Sequence, residues 1–393
     1  MRIPPTWLKK LLLVLVTAWS LSTEAAVIKN VQTNTQTIPG AGVANIAITS
    51  VTVGRTFVVC QNDTAAIGSN PTTRALCELT SATNLRITIN DASGTEVVRW
   101  YVVEFYSGVT VQRSPPGGTA LAAGGPPTVP VPIAAVNLAK TFVLLSESMN
   151  SATQDIDEQW TVRGQLTSTT NLQLTRNAAG TAIAVAWQVI QIESAVVVSN
   201  IATIPVGATF VTAALNPPVD LSRTFLVFSR SGGNAAAANR GQEMRYQTTG
   251  VITNATTLTF TRAFQDGAAA TQVDIVWFAV RMTDGTTVQR NVCGPSGLVS
   301  TMPAVPAGCL TLAPAIVTNR SVAFISASGD AASGTPTADL DDTSWQAALA
   351  AGAITLTRAA GASNSSNATV AWQVVQFTDK PNLVDRDGRE IFP

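Results

Sequence analysis

The sequence predicts an all-β chain, four tandem antiparallel β-sandwich modules after an N-terminal signal peptide. The first observation is a strand motif written four times: Arg99-Trp100-Tyr101-Val102-Val103, Ala186-Trp187-Gln188-Val189-Ile190, Val276-Trp277-Phe278-Ala279-Val280 and Ala371-Trp372-Gln373-Val374-Val375. The Trp residues lie 87, 90 and 95 residues apart, a domain-length period too long for a solenoid turn. The second is composition. Only 12% of the 393 residues are charged, against roughly 25% in an average soluble protein, and Ala, Thr, Val, Gly, Ser and Asn take their place. The third is punctuation: short alternating runs are separated by stretches rich in Gly, Pro and Ala, such as 115–132 and 231–241, the spacing of sandwich strands.

The elements follow in order. Lys9-Lys10, the apolar run from Leu11 to Leu21 and the small-residue exit Thr23-Glu24-Ala25-Ala26 have the layout of a secretory signal peptide over residues 1–26. A run of roughly eleven apolar residues is too short to span a bilayer, which takes about 20, so no membrane segment is expected after cleavage. Modules are expected at 27–108, 109–194, 195–285 and 286–377, with a tail at 378–393. Each opens on a strand such as Asn30-Val31-Gln32 or Thr110-Val111-Gln112. A second element reads Arg55-Thr56-Phe57, Lys140-Thr141-Phe142, Arg223-Thr224-Phe225 and Arg320-Ser321-Val322. A third reads Asn84-Leu85-Arg86-Ile87, Asn171-Leu172-Gln173-Leu174, Thr257-Leu258-Thr259-Phe260 and Ala353-Ile354-Thr355-Leu356. Its period of two gives one core face and one wet face.

The Trp strand differs, being apolar on both faces: Val185, Trp187 and Val189 on one, Ala186, Ile190 and Ile192 on the other. That marks a central strand, with Trp100, Trp187, Trp277 and Trp372 as core anchors. Two of these strands run into Ser107-Gly108 and Asp284-Gly285 and then a Val-Gln strand, a hairpin signal. Pairing of each Val-Gln strand with the Trp strand before it would leave residues 27–38 spare at one end and a vacant edge at the other. The domain-length repeat points to an extended array of like modules, and two readings of its ends are open. One is head-to-tail assembly, with residues 27–38 of one molecule completing module four of the next. The other is an N-terminal strand folded into module one, with the tail from Asn382 to Pro393 covering the last edge.

Export makes the four cysteines a disulfide set. The local pairing Cys60–Cys77 and Cys293–Cys309 is the simplest of three connectivities. Two acidic loops hold the only metal candidates, a Ca²⁺ site from Asp155, Asp157 and Glu158 or from Asp339, Asp341 and Asp342, since closely spaced carboxylates supply hard oxygen ligands. No other cofactor is indicated. Arg176, Arg262 and Arg358 recur at the end of the third element, where a guanidinium can stack on a ring or pair with a loop.

Several functions are disfavoured. Histidine is absent from the chain, which removes the commonest general base and the Ser-His or Cys-His nucleophile. With 24 basic and 24 acidic residues the net charge is zero, unlike a nucleic-acid-binding surface. A carboxylate-only glycosidase would still need two facing carboxylates.

The order of a Phe strand, a variable loop, a Leu-x-Leu strand and the strands Val185-Ala186-Trp187 and Val370-Ala371-Trp372 resembles H-type lectin β-sandwiches and tandem modules of bacterial surface and phage-fibre proteins. The resemblance implies a six-stranded antiparallel sandwich and a glycan-binding role. The expectation is a secreted, non-catalytic protein of the cell surface or extracellular space, passing through the periplasm. It would act in adhesion or as a filament or matrix subunit, with copies of itself or surface glycans and proteins as partners. The alternative is a carbohydrate-binding, lectin-like protein.

Overall fold

The structure, a computed structural model, describes residues 25–64, 74–90, 95–149, 161–232, 247–262, 272–297, 299–329, 344–358 and 367–379. Among them every regular element is a strand or a short 3-10 turn. The first set is β1 (Val27–Pro39), β2 (Gly42–Ala47), β3 (Thr56–Thr64), β4 (Leu76–Ser81), β5 (Asn84–Ile89) and β6 (Thr95–Ser107). The second is β7 (Val109–Arg113), β8 (Thr119–Leu121), β9 (Thr128–Pro132), β10 (Thr141–Met149), β11 (Arg163–Ser168), β12 (Asn171–Thr175) and β13 (Ile183–Ile192). The third is β14 (Ala195–Ile204), β15 (Phe210–Ala214), β16 (Thr224–Gly232), β17 (Thr249–Asn254), β18 (Thr257–Thr261) and β19 (Val273–Met282). The fourth is β20 (Thr287–Cys293), β21 (Ser321–Gly329), β22 (Gln346–Ala350), β23 (Ala353–Thr357) and β24 (Ala368–Gln376).

These strands form small antiparallel sheets in two recurring orders. One is β1-β6-β3, repeated as β7-β13-β10, β14-β19-β16 and β20-β24-β21; the other is β2-β5-β4, repeated as β9-β12-β11 and β15-β18-β17. In the fourth set β22 and β23 pair alone, and Thr301 and Thr311 only bridge to Thr357 and Ala353 at the third position. The two sheets of a set share a core. In the first set, Ile38 and Val58 from one sheet pack with Leu79, Leu85 and Ile87 from the other.

Each Trp strand is the middle strand of its sheet. In the first and third sets its two apolar faces serve two different cores, whereas both faces of β13 and β24 belong to one shared cluster. In β6, Val98, Trp100 and Val102 fill the first set's own core, while Tyr101, Val103 and Phe105 join a cluster containing residues of all four sets. In β19, Ile275, Trp277 and Ala279 face inward in the same way, and Val276, Phe278 and Val280 join the shared cluster. All four Trp side chains are buried.

The pairing of the Val-Gln strands corrects the hairpin expectation. β7 pairs with β13, β20 with β24 and β1 with β6, so each pairs with the Trp strand that follows it. Gly108 explains the misleading signal. Its φ is +71°, and a Cβ there would lie 2.4 Å from the Ala25 carbonyl oxygen. The glycine admits a close backbone neighbour at a crossover between sets rather than closing a hairpin. Residues 27–38 are therefore not spare, and the vacant edge disappears. The folded body also includes Ala25 and Ala26, upstream of the expected boundary: Ala26 is buried and the Ser107 hydroxyl donates to the Ala25 carbonyl at 3.0 Å.

The four sets are not strung out as an extended array; they close on one another. A hydrogen bond between matching positions links each set to the next. The N–H of Cys77 donates to Ser146 Oγ at 3.0 Å, Gly164 N–H to Ser229 Oγ at 3.0 Å, Gly250 N–H to Ser326 Oγ at 3.1 Å, and Ala347 N–H to Gln61 Oε1 at 2.7 Å. The last of these joins the fourth set back to the first. Each acceptor lies opposite the residue preceding the Trp of its set, so the equivalence is one of register.

At the centre the rings of Phe57, Phe105, Phe142, Phe225, Phe324 and Phe377 touch through centroid distances of 5.0 to 6.3 Å. Phe324 stands two residues later than its counterparts because Val322 occupies the position of Phe57, Phe142 and Phe225. An approximate twofold is superimposed. The Gln188 side chain exchanges two hydrogen bonds with the Val58 backbone, and Gln373 does the same with Leu226. The other two interfaces use Arg163 with Asp274 at 3.1 Å and the Tyr101 hydroxyl with the Ala347 carbonyl.

Candidate functional site

The strands that follow the Arg/Lys-Thr-Phe motif, β3, β10, β16 and β21, surround a cavity of about 360 Å³. The segments entering β4, β11, β17 and β22 complete its walls: Arg74 and Ala75, Thr161 and Val162, Gln247, and Ser344 and Trp345. The cavity exists only because the sets close; no single set could enclose it. Along the wall strands the lining turns from apolar, at Val59, Leu144, Val227 and Phe324, to polar, at Gln61, Ser146, Ser229 and Ser326. The next position carries Asn62, Glu147, Arg230 and Ala327. Equivalent backbone sites thus present four different side chains, and the pseudo-symmetry is broken where chemistry would matter.

The charged groups at this level come from three sets. Arg74 Nη1 donates to Glu147 Oε1, and Val162 N–H donates to Glu147 Oε2 at 3.1 Å. Burial raises the Glu147 carboxyl above its ordinary range, against the opposing pull of Arg74, Arg230 and the Val162 N–H. Arg230 Nη2 donates to Gln247 Oε1, a neutral acceptor. Arg230 Nε is out of solvent contact and has no hydrogen-bond partner among the described residues. Burial, with Arg74 nearby, pushes the Arg230 guanidinium down to about 9, partly offset by Glu147. The described lining therefore holds two guanidiniums and one carboxylate, and that carboxylate already has a donor on each oxygen.

The sequence-derived candidates lie elsewhere. Asp155, Asp157, Glu158, Asp339, Asp341 and Asp342, the proposed Ca²⁺ ligands, fall outside the described residues. Among the described residues no group of three His, Cys, Asp or Glu side chains could hold a metal. The disulfides are Cys60–Cys77 and Cys293–Cys309; the first joins β3 to β4 across the sandwich. Arg262 Nε donates to the Ala208 carbonyl at 2.8 Å and Arg358 Nε to the Val299 carbonyl at 3.0 Å. Arg176 Nη2 donates to Ala122 O at 2.7 Å. Each guanidinium ties down the segment preceding the next sheet, and Arg358 also lies over the Trp345 ring at 5.1 Å.

Other buried carboxylates are engaged by the fold. Glu78 accepts from the N–H groups of Gly117 and Gly118 and from Arg86. Glu104 accepts from Lys29 and the Thr52 N–H, and Asp284 from Ser194 and the Thr286 N–H.

Sequence reasoning missed Arg74, Glu147 and Arg230, because their meeting depends on the closure of the ring. One signal was present: five residues after Phe142 and Phe225 stand Glu147 and Arg230, charges in runs that otherwise alternate apolar and small polar. No family model and no curated protein matches the chain.

Proposed function

We propose that the chain is a secreted, non-catalytic protein of four tandem antiparallel β-sandwich modules, residues 27–108, 109–194, 195–285 and 286–377, that acts in adhesion at the cell surface. The observation that carries this reading is the axial cavity, framed by strands of all four sets and lined by hydrogen-bonding groups. Two disulfides are compatible with an oxidising, extracellular location. Filament or matrix assembly by strand addition is the less favoured form of the proposal, because β1 would first have to leave its partner β6.

The second reading is a lectin-like protein. It is favoured by the size of the cavity, about 360 Å³, at the lower end of small-molecule sites, and by walls that combine apolar side chains with hydroxyls and amides, as sugar rings require. The test is to express the protein with its own leader, recover it from the medium, and measure its mass in solution and its binding to a glycan array and to whole cells. The expected result is a monomer with saturable surface binding. Filaments in negative-stain images, or a monomer that binds no surface and no glycan, would count against the reading.

A further inference from the structure

Resting on the binding reading above, we infer that the axial cavity is a site for a small carboxylate-bearing ligand, of the class of an acidic monosaccharide, held by Arg230. Three observations converge. Arg230 lines the cavity and sits among groups from the other sets. Among the described residues its side chain donates to the neutral amide of Gln247, and its Nε is buried without a partner. The nearby carboxylate, Glu147, already accepts from Arg74 on one oxygen and from the Val162 N–H on the other.

A buried cation without a hydrogen-bonded counter-charge is costly. A planar guanidinium is matched best by a carboxylate, which can accept two parallel N–H bonds. The rest of the cavity sets the body of the ligand. Val59, Leu144, Val227 and Phe324 supply an apolar floor, while Asn62 and Ser344 stand among the polar groups of the wall. A ring with one apolar face and several hydroxyls fits that division; a compact inorganic anion leaves the apolar floor unused. Glu147 sharpens the selection, because it repels a second negative charge beside the first.

The test is isothermal titration of the full secreted protein with D-glucuronate, D-glucose and inorganic phosphate, repeated on Arg230→Gln and Arg230→Lys. Thermal unfolding of each variant without ligand serves as the check on folding. The expected result is one glucuronate per chain and no heat from glucose. Phosphate should bind at least tenfold more weakly than glucuronate. Affinity for glucuronate should fall at least tenfold in Arg230→Gln and less in Arg230→Lys, which keeps the charge. Absence of glucuronate binding would overturn the inference, as would equal binding of phosphate or unchanged binding in a folded Arg230→Gln protein. If the protein adheres to cells while glucuronate gives no heat, the carboxylate site falls and the adhesion reading stands. If glucuronate binds but no surface is recognised, the reverse holds.

Discussion

Phe225→Ala is expected to lower the free energy of unfolding by about 3–5 kcal/mol, the range for truncating a large buried aromatic. Phe225 is fully buried, 5.7 Å from Phe142 in an edge-to-face contact and 5.4 Å from Phe324 in a stacked one. Its neighbours belong to the sets before and after its own, so the cavity left behind cannot be closed by moving one set alone. Urea unfolding followed by Trp fluorescence checks this. The whole transition should move to lower denaturant with little change in slope, since the shared core makes the sets unfold together. Phe210→Ala is the control. Phe210 sits on an edge strand with 58% of its surface exposed, and its loss should stay within about 0.5 kcal/mol.

Replacing Cys293 and Cys309 together by Ala is expected to cost about 3 kcal/mol, the loop-closure value for a bridge spanning 16 residues. The local consequence follows from what the fourth set lacks. Where the other sets have a third strand beside the Leu-x-Leu strand, this one has an irregular segment that reaches β23 through two isolated bridges. The disulfide ties that segment to the end of β20, and the Cys309 carbonyl accepts the Trp372 indole N–H at 2.9 Å. Without the bridge the segment and that hydrogen bond should loosen. Calorimetry should give a lower transition temperature, and amide exchange should quicken in β23 before it does in β12 or β18.

Much of this architecture is legible in the sequence, and the part that is not has a physical reason. Period-two alternation and the doubly apolar Trp strand identify the strands and their central position, because burial on two faces leaves a direct mark on residue type. The use of the second face is not legible. Tyr101, Val103 and Phe105 could equally have covered a neighbouring layer within one domain, and only the fold shows that Phe105 meets Phe377 of the fourth set. Turn chemistry misled for a related reason. Ser107-Gly108 and Asp284-Gly285 both read as hairpins, but of the two only Gly108 has a positive φ, and there the need comes from the backbone of Ala25, more than eighty residues away in sequence. The charged wall of the cavity was hidden in the same way, since Arg74, Glu147 and Arg230 are brought together only by ring closure.

Closure is therefore the claim on which the cavity, the shared core and the proposed ligand all depend. Small-angle X-ray scattering of the purified protein tests it most directly. A single compact body of this length should have a radius of gyration of about 21 Å. Four modules of some 90 residues strung end to end would instead give roughly 35 Å or more, from the same scaling applied to each module. A value near the first, with a bell-shaped distance distribution, is the predicted result; a value near the second would contradict the ring.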